Sequence, residues 1–177
     1  MRALLVALSL VLGACATASA QQMEIPGDGA HPVIGDPNAP WRQRAGASTA
    51  EVAAAHACLA RGENCERLIQ QPCLDAYDED QRSPALERTC DWHAMSVWED
   101  EVLALLTDLR GKLSDGDLKN LNDSETAWET SMLADVGLGM DYYSGGSISG
   151  PIGAHIRAIS TERRAEYLYE IQQMVGE

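Results

Sequence analysis

The sequence predicts an all-α fold: a small disulfide-supported helical bundle built on a long antiparallel helical hairpin. Three observations carry this. Apolar residues between Ser83 and Asp141 recur at three- and four-residue steps, the period of a helix. Helix-start signals stand at Ser48, Ser83 and Ser114. Four cysteines, Cys58, Cys65, Cys73 and Cys90, gather ahead of and inside the first long helical stretch, in a chain that opens with an export signal.

Residues 1–20 read as that signal. Met1-Arg2 precedes an apolar run from Ala3 to Gly13, and small residues end in Ala18-Ser19-Ala20, an A-x-A cleavage site. The run is too short for a membrane span. Leu12-Gly13-Ala14-Cys15 offers a second route, because it resembles a bacterial lipobox, in which Cys15 is lipidated and becomes the mature N-terminus. Cleavage after Ala20 is preferred here, since a polar break follows it. Both routes export the protein, to the periplasm or the medium, or as a lipoprotein anchored at Cys15. Residues 21–47 hold Pro26, Pro32, Pro37 and Pro40 among several glycines, a composition that buries too little apolar surface to order itself. They predict a flexible tether with Trp41 as its anchor candidate. The foldable part, 48–177, is short enough for one domain with one core.

Within it, Ser48-Thr-Ala-Glu51 is a capping box that starts a helix through Ala55 and Cys58 to Gly62, a natural terminator. Asn64 caps a short successor that Pro72 kinks or ends. Asp75 to Arg82 predicts a polar connection. Ser83-Pro84 opens the first hairpin arm, with Met95, Trp98, Val102, Leu105, Leu106, Leu109 and Leu113 on one arc and Glu99, Asp100, Glu101, Asp108 and Arg110 on solvated faces. Ser114-Asp-Gly-Asp117 opens the second arm, through Trp128 towards Gly137. Trp98 and Trp128 are read as core, and Trp92 lies off the stripe. Leu138 to Pro151, dense in glycine and turn formers, predicts a loop. A final helix is expected across the hairpin, with Ser160 or Thr161 as its cap before Glu162.

The chain carries 13 Lys plus Arg against 27 Asp plus Glu, a formal charge of −14. Such a surface repels nucleic acid and anionic membrane and attracts cationic partners. With Cys15 out of the count, the four remaining cysteines form an even set in an exported chain and allow three pairings of two disulfides. Antiparallel neighbours favour Cys58 with Cys65, across the Gly62 break, and Cys73 with Cys90, across the connection near Gln81. No C-x-x-C occurs and His31, His56, His93 and His155 are scattered, which argues against a metal site. No H-E-x-x-H, P-loop or G-x-G-x-x-G is present, and Gly145 to Gly150 misses the G-x-S-x-G elbow because Ile148 takes the serine position. The reading is a non-enzyme without cofactor. Arg163 and Arg164 are expected to pair with the acidic surface.

The order Cys90, Trp98, Leu105, then Leu118, Trp128, Gly145-Gly-Ser147, then Thr161-x-x-Arg164 and Leu168 resembles the LprI-like domain, a family of exported bacterial proteins named for a lysozyme inhibitor. The cysteines from Cys58 to Cys90 look like versions of that domain with an added disulfide-bearing segment. The match covers roughly Val52 to Tyr169. It departs from the family at Ser124, Glu125 and Met132 around Trp128, and at Val136 and Ile156, near which the family carries a second-half disulfide. The resemblance implies an exported protein of the envelope that binds and inhibits a basic lysozyme-type muramidase; the alternative is a structural or interaction module of the periplasm without inhibitory activity. The contact is expected at Asp141, Tyr142, Tyr143, Gly145, Gly146 and Ser147, where tyrosines offer adaptable aromatic area and glycines permit close approach.

Overall fold

A computed structural model describes residues 47–143 and 146–176. The signal sequence with Cys15 and the tether up to Gly46 lie outside the described residues. In chain order the elements are α1 (Thr49–Arg61), α2 (Gln70–Asp75), a 3-10 turn (Glu79–Gln81), α3 (Pro84–Lys112), α4 (Asp115–Tyr142) and α5 (Ser149–Val175), with no strand among the described residues. The fold is all-α and disulfide-supported, as the sequence predicts.

Local chemistry sets the ends. Ser48 and Glu51 form the reciprocal capping box, with the Glu51 N–H donating to Ser48 Oγ and the Ser48 N–H donating to the Glu51 carboxylate. Gly62 closes α1 in the left-handed conformation at φ 62°, which its missing Cβ makes inexpensive. Ser83 accepts from the Leu86 N–H with Pro84 at the first helical position, and Ser114 accepts from the Asp117 N–H. Pro72 neither kinks nor ends α2. It stands third in the helix, where the N–H it lacks has no intrahelical partner to lose.

Helices α3 and α4 run in opposite directions about the turn at Leu113 and Ser114, but they barely touch each other as hairpin arms would, because α5 lies between them and packs on both. The α3–α5 and α4–α5 faces are the most extensive helix contacts. Asp91 faces His155 and Asp108 faces Gln172, so α3 and α5 run parallel. Glu125 faces Arg164 while Val136 faces Gly153, so α4 runs antiparallel to α5. The core joins Val97, Trp98, Val102, Leu105, Leu106 and Leu109 of α3 to Ala158, Ala165 and Leu168 of α5, with Leu121 of α4 and Ala55, Cys58 and Leu59 of α1 at its edges. Removing each large side chain from water contributes about 1.5–3 kcal/mol. Both disulfides have the pairing favoured by sequence geometry: Cys58–Cys65 at 6.0 Å between Cα atoms and Cys73–Cys90 at 5.6 Å. Each falls in the span a disulfide bridges without backbone movement.

The structure corrects four further expectations. The segment 138–151 is mostly helix, because α4 continues through Gly137 and Gly139 to Tyr142 and α5 begins at Ser149. The two glycines that matter there serve close approach: a Cβ on Gly139 would overlap Ile156 Cδ1, and one on Gly153 would lie 3.1 Å from Met140 Sδ. Contact across that notch offsets the low helix propensity of glycine. Ser160 and Thr161 accordingly sit inside α5, where Ser160 Oγ accepts from Trp128 Nε1 and Thr161 Oγ1 donates to the Arg157 carbonyl. Glu99 and Glu101 are buried rather than solvated, since α1, α2 and α5 surround more of α3 than one stripe. Arg164 is buried as well, and donates to Glu125 at 3.0 Å and Ser124 at 2.9 Å instead of serving the surface. Its guanidinium also lies over the rings of Trp128 and Tyr167.

Candidate functional site

The bend between α4 and α5 forms one end of the bundle and places the predicted contact residues together. Asp141 and Tyr142 end α4, Tyr143 is its last cap, and Gly146 and Ser147 lead into α5. Gly145 lies outside the described residues. The bend is held by the Gly146 N–H to Tyr143 carbonyl bond and by Ser149 Oγ donating to the Gly146 carbonyl. Pro151 again occupies the first turn of a helix. Tyr142 is 81% exposed, and its ring meets Tyr143 edge to face at 4.9 Å. Leu138, one turn before Tyr142 on the same face of α4, is 71% exposed, and Met140 and Ile148 are exposed beside them. These apolar side chains are concentrated at one end of a strongly acidic chain.

Ile148 also starts a groove of about 230 Å³ that runs from the tip between α2, α3 and α5, walled by Leu74, Pro151 and Ile152 and by Arg67, Gln70, Glu87, Asp91 and His155. No single stretch of the sequence marks it. Its polar floor centres on the buried Asp91, whose Oδ1 accepts from the buried Gln70 Nε2 and from the Nδ1–H of the half-exposed His155 at 3.3 Å. The Asp91 bond raises the His155 pKa above its ordinary value. Arg67 stands at the groove wall with φ 64°, the one non-glycine residue at positive φ among those described.

Two further histidines pair with carboxylates. His93 Nε2 and Glu51 Oε1 are 2.7 Å apart, and His56 Nδ1 and the 2% exposed Glu101 are also 2.7 Å apart, so both pairs join α1 to α3. The bond from Ser48 and the bond from His93 hold the Glu51 carboxyl down at about 2. These partners are separated by 42 to 64 residues, and nothing local in the sequence announces them. A signal existed for one side of two of the three pairs: Asp91 and Glu101 fall seven residues before Trp98 and four before Leu105, on the apolar stripe itself. No helix among the described residues is long and apolar enough to cross a membrane. No protein-family model, curated protein or solved structure matches the chain.

Proposed function

We propose that this chain is an exported, non-catalytic binding protein of the bacterial envelope that captures a basic partner, and that the partner is a lysozyme-type muramidase which it inhibits. The observation that carries the reading is the tip, where Leu138, Tyr142, Tyr143 and Ile148 leave apolar and aromatic surface in water at the end of a chain of net charge −14. A monomer gains nothing from such exposure, and interaction sites of this make-up combine an aromatic anchor with a charged surround. Charge brings a cationic partner quickly, and the shaped aromatic tip supplies the specificity that charge lacks. The two disulfides and the lack of a membrane-crossing helix among the described residues are compatible with an extracellular or periplasmic location. A lipid anchor at Cys15 is the alternative form of the same export, and the intact mass of the mature protein separates the two.

Inhibition of lysozymes of several classes at low ionic strength tests the reading. The wild type should inhibit at least one, and Tyr142→Ala with Tyr143→Ala should weaken inhibition by about 2–4 kcal/mol with helicity and melting unchanged. If the wild type inhibits none, the inhibitor reading falls and a non-inhibitory interaction module of the periplasm takes its place.

A further inference from the structure

The groove that starts at the tip is polarised along its length. Asp91 of α3 is level with His155 of α5, so Arg67, Gln70, Asp91 and His155 gather at its inner end. Leu74, Pro151, Ile152 and Ile148 wall the stretch towards the tip. From His155 back to Ile148 the α5 wall runs for about 10 Å at the rise of an α-helix. A volume of about 230 Å³ falls below the roughly 300–1,000 Å³ of sites for drug-sized molecules, so the groove suits a small occupant.

The inner end favours an anion. The Asp91 carboxylate is already answered by Gln70 and by the Nδ1–H of His155. That bond to Asp91 favours the imidazolium form of His155, and it leaves Nε2 without a partner among the described residues. Arg67 is the cation left over. It is exposed, and its guanidinium reaches only Gln71, at 3.5 Å, beyond the usual range for such a bond. The backbone supplies an independent observation. At φ 64° Arg67 occupies the left-handed region, where glycine or asparagine would sit more easily, so an arginine stands there against a local penalty, as residues serving a site do. Glu87, the other charged wall of the groove, stands one turn out from Asp91 along the apolar stretch, while Glu66 and Glu162 line the neighbouring space of about 20 Å³ and not the groove.

We propose that the groove binds a small aliphatic carboxylate, its head on Arg67 and His155 and its hydrocarbon chain along Leu74 and Ile152 towards Ile148. Both ends are needed. Water screens a carboxylate held by half-exposed cations alone, and a chain without its head has nothing to fix its direction. Charge-assisted bonds at one end and removal of the chain from water along the other supply what neither gives singly. This is a second use of the groove, which a partner docked over the tip would cover, and it does not depend on the muramidase reading.

The test titrates hexanoate into the full chain at about pH 6, where imidazolium is populated, with the His155 ring and the Ile148 and Ile152 methyl groups followed by NMR. Saturable shifts at all three are expected, with a Kd of about 1 mM or below. Acetate, the head without the chain, and hexan-1-ol, the chain without the head, should each bind at least about tenfold more weakly. Arg67→Asn removes the cation with a residue at ease in the left-handed region, so it should melt no lower than the wild type and bind hexanoate at least about tenfold more weakly. Lys119→Gln, which removes an equal charge from the exposed pair with Asp123 on α4, should bind as the wild type does. N-acetyl-leucine against hexanoate separates the two sources of such a group, a chain terminus and a free acid, by which of them binds the more tightly. Hexanoate that leaves His155 and Ile152 unmoved, acetate that binds as tightly as hexanoate, or Arg67→Asn that binds as the wild type does would overturn the site.

Discussion

The α1–α2 segment and α4 are two solutions to one task, holding a helix against the α3–α5 pair. Helices α1 and α2 have 13 and 6 residues, too few to offer much apolar face, and they are stapled. One disulfide closes the α1–α2 bend, the second ties α2 to α3, and the Glu51–His93 and Glu101–His56 pairs tie α1 to α3. Helix α4 has 28 residues and buries only Leu121, Met132 and Val136, yet it carries no covalent link. It relies on the glycine notch at Gly139 and Gly153, on Trp128 donating to Ser160, and on Arg164 reaching Glu125. Short elements are thus held by cross-links that act largely through the unfolded state, and the long one by surface fit and a buried ion pair.

This contrast breaks most sharply at Arg164. Arg164→Ala leaves Glu125 enclosed without its cation and should destabilise by about 4 kcal/mol in urea unfolding, whereas Arg164→Met combined with Glu125→Leu should lose far less. On the stapled side, Cys73→Ala with Cys90→Ala opens a loop spanning 17 positions and should cost about 3 kcal/mol in thermal melting. Next comes the notch: Gly139→Leu forces its side chain into Ile156 and Ile152 and should cost about 2 kcal/mol, with loss of protection confined to α4 in hydrogen exchange. The smallest effect concerns acid. The folded carboxyl of Glu51 is depressed from 4.5 to about 2, so its contribution is fully present above about pH 4.5 and disappears as pH falls through about 2. Because the side chain is 36% exposed, solvent screening limits this to about 1 kcal/mol, and Glu51→Gln should flatten that part of the pH–stability curve.

Much of the frame was legible because its signals are local. Serine caps, the Ser83-Pro84 start and the period of Met95 to Leu109 each act within a few residues, and the even cysteine set limits the pairings to three. The end of α4 was not legible. Gly137, Gly139 and the run to Pro151 have loop composition, and only the approach of Ile156 from α5 makes a glycine-bearing helix favourable there. The buried carboxylates were hidden for a related reason. Asp91 and Glu101 are carboxylic side chains at core positions, and their partners come from other helices. Of the candidate surface, the tyrosine tip could be anticipated from residue type, while the groove beside it arises where α2, α3 and α5 meet and has no single stretch of sequence to mark it.

The central claim is that a basic partner docks on the tip and the groove behind it, and not on the acidic outer face of α4. Amide hydrogen exchange of the full chain, with and without a basic lysozyme at low ionic strength, locates the contact most directly. The account predicts added protection at 138–143, 146–152 and 66–74, with Asp115 to Asp123 on α4 unchanged. Protection along that stretch of α4 with none at the tip, or no protection anywhere, would contradict it.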